Sequence, residues 1–158
     1  MTLDPATFRA ALARFASGIT IITARDREGR DVGMTVSAFS SLSLKPPLIL
    51  VCIDNAASAA PALADCEHLA VNILDEAQEP LSRRFAEKDR DRFEGVAVTR
   101  GQVGVALLDG ALANLECRVR ERHPGGDHTI LICEVREAAL RDGHPLLYYR
   151  GGYRRLER

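Results

Sequence analysis

Tryptophan is absent from this chain of 158 residues, and aromatic side chains make up only 5% of it. An excess charge of either sign is lacking too: Lys and Arg total 21 against 22 Asp and Glu, a formal net charge of −1. Binding to a nucleic-acid backbone needs a basic surface and is not expected. The longest apolar run is about half of what a membrane-spanning helix requires. The opening MTLDPATFRAALARF mixes acid and base with no apolar h-region, so neither a signal peptide nor a membrane segment is expected, and the setting is cytoplasmic. Cys52, Cys66, Cys117 and Cys133 include no CxxC pair, and Cys66-Glu67-His68 has no second ligand pair at zinc spacing. The cysteines read as small buried hydrophobes in a reducing compartment, with no metal. GxGxxG, Walker and GxSxG sequences are all missing. Their absence excludes the common dinucleotide fold, P-loop enzymes and a nucleophile elbow.

What is present is an ordinary globular balance, 46% hydrophobic and 27% charged, at a length that suits one domain over residues 1–158. Asp4-Pro5 caps a first helix, on which Phe8, Leu12 and Phe15 form an apolar stripe. Ile19 to Thr23 is β-branched and reads as a strand, and Val32 to Phe39 as a second. Leu48 to Ile53 is continuously apolar, a strand covered on both faces. The Ala-rich segment Asp54 to Glu67 reads as a short helix, Leu69 to Ile73 as a strand, Ala77 to Glu87 as a helix and Lys88 to Glu94 as a charged loop. Ala113 to Arg120 alternates apolar and polar residues, the mark of a half-buried antiparallel strand. His123 to Asp127 turns the chain into a partner strand over Thr129 to Val135, and Leu146 to Arg150 is the last strand. Six or seven strands, few helices and hairpin-length turns indicate a β-barrel with peripheral helices.

Three segments hold residues suited to chemistry. Between Thr35 and Ser43 there are five hydroxyl residues in nine positions, enough to converge on a flat polar heterocycle or a phosphate, or simply a Ser-rich barrel strand and loop. Arg83 and Arg84 suit bidentate phosphate binding, or a solvated face with routine ion pairs. His128 enters a strand from the Gly125-Gly126-Asp127 turn, as a ligand partner or as a surface or interface histidine.

Taken in order, FASGITIIT (15–23), GMTVSAFSSLSLKPPLILVCI (33–53), LAVNIL (69–74), LSRRFA (81–86), LDGALANLECRV (108–119), GGDHTILICEV (125–135) and PLLYYRGGY (145–153) resemble the flavin reductase family with the FMN-binding split-barrel fold. These are the small reductase components of two-component flavin-dependent monooxygenases. The resemblance implies a mainly β protein, a six-stranded antiparallel Greek-key split barrel with short peripheral helices, assembled as a homodimer. It implies that Thr35, Val36, Ser37 and Ala38 line the flavin ring, with Ser41, Leu42 and Ser43 on the loop after it. Asp54, Asn55 and Ser58 fall on a phosphate-side segment, and Arg84, Phe85 and Ala86 on the turn that holds the flavin phosphate. His128 matches a nicotinamide-binding histidine, flanked by Tyr148 and Tyr153. The implied activity is reduction of FMN or FAD by NADH or NADPH, with reduced flavin passed to a separate oxygenase. Two alternatives stand beside it: a reductase with tightly bound flavin that feeds a metal centre such as a cobalt corrinoid, and a non-catalytic flavin- or haem-binding split barrel. Because the cofactor carries the hydride chemistry, no protein acid or base is obligatory.

Overall fold

A computed structural model describes residues 2–88 and 91–158. Residues 89 and 90 of the expected charged loop lie outside the described residues. The chain runs α1 (Pro5–Leu12), β1 (Ser17–Gly18), β2 (Thr20–Arg25), β3 (Asp31–Val36), β4 (Phe39–Ser43), β5 (Leu48–Asp54), α2 (Ala60–Leu63) and β6 (His68–Ile73). A 3₁₀ turn (Glu76–Gln78) then leads into α3 (Glu79–Arg84), β7 (Val98–Arg100), β8 (Ala106–Leu108), β9 (Ala113–Gly125), β10 (His128–Leu140), β11 (Leu147–Tyr149) and β12 (Gly152–Arg154). It is mainly β, with antiparallel pairing and a few short helices. No described helix is long and apolar enough to cross a membrane.

The principal sheet has seven strands in the order β3-β2-β6-β9-β10-β5-β4, where six were expected. The difference lies in the stretch read as one strand over 32–39. It breaks at Ser37-Ala38, and its two halves sit at opposite edges of the sheet. Six strand spacings would separate those edges by about 29 Å if the sheet were flat. Yet Val36 and Phe39 are three Cα steps apart, at most about 11 Å. The sheet must therefore curl until its edges nearly meet, and the Ser37-Ala38 corner marks where they do.

Two apolar clusters fill the two sides of β2. Ile22 and Ala24 pack with Val51, Leu69, Val71 and Leu131, while Ile19 and Ile21 pack with Leu74, Phe85, Leu108 and Leu146. β5 differs from expectation. Ile49, Val51 and Ile53 are buried, but Leu48, Leu50 and Cys52 on its other face are only half-buried. The expected strand from Ala113 departs in the opposite sense: Glu116, at a polar position, is buried. The Glu116 carboxylate packs against Gly101 of the β7–β8 hairpin, a segment that carries no strong strand signal. Buried Asn72 fastens that hairpin, donating to Ile21 O (2.9 Å) and Thr23 Oγ1 (3.2 Å) and accepting from Leu108 N–H (2.9 Å) and Asn114 Nδ2 (2.8 Å).

Asp4 caps α1 as expected, its carboxylate accepting from Thr7 N–H at 3.3 Å. The stripe on that helix faces solvent, however, with Phe8 50%, Leu12 58% and Phe15 84% exposed. The helix expected over 54–67 shrinks to the four residues of α2. The β9–β10 hairpin is longer and tighter than expected, with Gly125 opposite His128 and Gly126 (φ +67°) in the left-handed conformation that a two-residue turn requires.

Candidate functional site

The Ser37-Ala38 corner is held from behind. Phe39 N–H donates to Ser37 O at 2.9 Å, and Cys52 N–H donates to Ala38 O at 3.0 Å. Both corner residues are exposed, and among the described residues their own amides donate to no protein acceptor. Beside them β3 is stitched to α3: Thr35 N–H reaches Phe85 O (3.3 Å), and Thr35 Oγ1 donates to Ser82 O (2.7 Å). Phe85 is fully buried and meets Phe93 edge-on at 5.0 Å, and it lies so close to β3 that only a glycine fits at position 33.

The facing wall begins where β5 ends. Asp54 Oδ1 accepts from Ala56 N–H at 2.9 Å, an Asx turn that brings Ala56, Ala57 and Ser58 round to the corner. His128 is opposite Asp54 in the β5–β10 register. Its Nδ1 lies 2.7 Å from Asp127 Oδ1, and this hydrogen bond holds the Asp127 carboxyl below its ordinary value. An ionised Asp127 accepts from Nδ1–H, which leaves Nε2 of a neutral ring as an acceptor.

These walls enclose an open cleft of about 500 Å³. Of the expected residues it gathers Thr35, Val36, Ser37, Ala38, Asp54, Ser58, Phe85, Ala86 and His128. Met34, Cys52, Ala56, Ala57, Lys88 and Arg92 line it as well and were not foreseen. The Arg92 guanidinium donates to Gly33 O at 2.6 Å and twice to Glu87 O at 3.0 and 2.6 Å. Burial lowers its pKa, but an arginine remains cationic.

The other expected residues stand elsewhere. Arg84 is absent from the lining, and its guanidinium donates to Glu94 O at 2.5 Å. Ser41, Leu42 and Ser43 run along the edge strand β4, with a register shift between Ser41 and Ser43. Asn55 faces a separate hollow near α2, where its Oδ1 accepts from Thr129 Oγ1 at 2.7 Å. Tyr148 and Tyr153 line a neighbouring hollow that shares Ala86 with the cleft.

The cleft thus has apolar sides (Met34, Val36, Phe85), unused backbone donors at one end, and Lys88 and Arg92 along its rim. Its size is ordinary for a small-molecule site. That donor set fits a flat heterocycle with hydrogen-bonding edges and an anionic tail, as a flavin nucleotide has. A curled antiparallel sheet with this cleft at its corner defines a β domain with a small-molecule cleft. The chain belongs to the flavin reductase like domain family, which matches residues 12–157. It is 45% identical over 161 residues to an NADH-dependent flavin reductase of a Rhodococcus species, covering 98% of this chain and 88% of that protein. It is 44% identical to the reductase component of 4-hydroxyphenylacetate 3-monooxygenase of Thermus thermophilus, over 94% of this chain and 95% of that one. Among solved structures, the NADH:FAD oxidoreductase SgcE6 of Streptomyces globisporus, in complex with NAD and FAD fragments, superposes with a TM-score of 0.92 at 33% identity, covering 99% and 97% of the two chains.

Proposed function

We propose that this protein is an NADH-dependent flavin reductase that takes FMN or FAD into the Ser37-Ala38 cleft and supplies reduced flavin to a separate oxygenase component. The observation that carries the proposal is the cleft itself: free amides, apolar sides and two cations at the corner of a family fold whose relatives include NADH-dependent flavin reductases. Flavin and nicotinamide, when bound, would themselves supply the hydride-transfer chemistry. The chain's part is to hold and orient. The amides of Ser37 and Ala38 would meet the polar edge of the ring, Val36 would give apolar lining, the buried Phe85 would brace Thr35 from behind, and His128 Nε2 would accept from the nicotinamide carboxamide. Lys88 and Arg92 serve the phosphate end, whereas Arg84 supports the segment through Glu94.

The half-buried outer face of β5 and β10 pairs Leu50 with Ile132 and Cys52 with Ile130. We assign this face to a second copy of the chain, which gives a homodimer, and regard the sheet as a split barrel completed there. Four free cysteines suit a cytoplasmic setting.

Mixing the protein with NADH and excess FMN or FAD in air tests this reading. Oxidation of many equivalents of NADH per protein, dependent on added flavin, is expected. Reduction of bound flavin only would point to a tightly held cofactor serving a metal centre. No NADH oxidation would leave a non-catalytic binder.

A further inference from the structure

Ser82 is fully buried near the end of α3, between the cleft wall and the C-terminal hairpin of β11 and β12. The last carbonyls of a helix find no partner within it. Here β3 supplies donors for two of them: Ser82 O accepts from Thr35 Oγ1 at 2.7 Å, and Phe85 O accepts from Thr35 N–H at 3.3 Å. In the other direction, the Ser82 hydroxyl shares a 2.8 Å hydrogen bond with the Tyr153 hydroxyl of β12. Tyr153 is itself well anchored. Its ring packs on the apolar cluster that contains Phe85, Leu108 and Leu146. The Arg83 guanidinium lies 4.7 Å from the ring centroid and is steered by Glu79 at 3.1 Å. The Tyr148 ring meets it edge-on at 5.4 Å. A hydroxyl bonded inward and a ring engaged by its own chain make Tyr153 a strut.

We propose that Ser82 is a positioning residue for the flavin cleft. Its hydroxyl ties α3 to Tyr153, and its carbonyl then holds the Thr35 hydroxyl just before β3 ends at the Ser37-Ala38 corner. Tyr153 serves as the anchor of this chain of bonds and not as a contact for nicotinamide. Neither Ser82 nor Tyr153 lines the cleft, whereas Thr35 does, so both act on the flavin through Thr35. A side chain in a binding site keeps its geometry only when the groups behind it are themselves fixed. The inference rests on the reading of the cleft as the flavin site.

The test follows the chain of bonds link by link. FMN Kd, kcat and KM for NADH at saturating FMN, and melting curves are measured in the wild type, Ser82→Ala, Tyr153→Phe and Thr35→Val. Two double variants join them, combining Ser82→Ala with Tyr153→Phe or with Thr35→Val. Alanine favours a helix, so Ser82→Ala keeps α3. Ser82→Ala and Tyr153→Phe should each weaken FMN about two- to twelvefold, the worth of one hydrogen bond. Removing both should cost no more than removing one, and Ser82→Ala should add less than about twofold to Thr35→Val. KM for NADH should stay within about threefold of the wild type. A lower Tm with unchanged FMN affinity would leave a structural bond only and overturn the proposal. Additive losses in either double variant overturn it too. So does a raised KM for NADH with flavin affinity intact, which returns Tyr153 to the nicotinamide. A wild type that binds no FMN would instead refute the reading of the cleft beneath it.

Discussion

Replacing Gly33 by alanine probes how the cleft wall is built. A Cβ at that position would stand 2.9 Å from Phe85 Cε1 and 3.1 Å from both Phe85 Cδ1 and Ile22 O. Ordinary carbon–carbon contacts begin near 3.5 Å, so something must move by about half an ångström. Ile22 O belongs to β2 in the middle of the antiparallel ladder and cannot give way cheaply. Phe85 must shift, but its ring is fully buried and braced by Phe93. Gly33 is not among the residues of positive φ, so backbone strain adds nothing. The cost is one of overpacking, roughly 1–3 kcal/mol, or a fall in Tm of about 3–10 °C for a domain of this size. Since Phe85 lines the cleft and its carbonyl holds Thr35, FMN affinity should weaken as well. Thermal melts and FMN titration measure both effects. The cause is isolated by Phe85→Leu, which makes room: in the double variant the Gly33→Ala penalty should shrink by more than about 0.5 kcal/mol. An unchanged Tm in Gly33→Ala, or strict additivity with Phe85→Leu, would refute the steric argument.

Four further outcomes are expected. His128→Ala should lower kcat/KM for NADH by about two- to twelvefold, the worth of one hydrogen bond, while FMN affinity changes less than about threefold; equal losses in both would move His128 to the flavin. Lys88→Met should weaken FMN about tenfold or more through loss of a charge-assisted contact and leave riboflavin, which lacks phosphate, unaffected, whereas Arg84→Ala should not discriminate between the two; the reverse pattern returns the phosphate to Arg84. The Asp31 carboxyl is held low by its bond from Arg100 and Asp75 by its bond from Ala77 N–H, so their stabilisation is complete above the ordinary Asp value of about 4 and is lost as pH falls below it. Tm should therefore hold from neutrality to about pH 5 and drop in stronger acid, less steeply in Asp31→Asn; a Tm that rises on acidification contradicts the sign. Light scattering should give twice the 17.3 kDa chain mass, and Leu50→Glu, on the half-buried face of β5, should halve it; a wild-type monomer rules out the assigned interface.

Much of the architecture was legible because burial writes itself into periodicity. The β-branched run at 19–23 and the Asp4-Pro5 cap are local signals, and both appear where expected. What could not be read depends on contacts distant in sequence. Nothing in the apolar and hydroxyl residues of 32–39 says that the chain leaves one sheet edge at Ser37 and joins the other at Phe39. Only the ladders on either side decide that. Glu116 is buried because a hairpin from residues 98–108 folds over it, and Phe8, Leu12 and Phe15 are exposed because none of the described residues covers them fully. In the site, residues next to strand ends (Thr35 to Ala38, Asp54, His128) do converge on one cleft, since strand ends fix direction. Arg84 does not line that cleft, because its guanidinium turns toward Glu94 at the end of a six-residue helix, while Lys88 and Arg92, read only as loop charge, reach the rim. Ala56 and Ala57 were hidden by an alanine-rich composition that reads as helix, although an Asx turn at Asp54 is what shapes them.

A cleft that works as proposed brings nicotinamide and flavin together for direct hydride transfer. Anaerobic stopped-flow mixing of the FMN-loaded protein with NADH tests it most directly. Flavin absorbance should bleach in a single phase whose rate saturates with NADH. NADH carrying deuterium at the transferred C4 position should slow that phase severalfold. FMN that binds but stays oxidised under excess NADH would contradict the account.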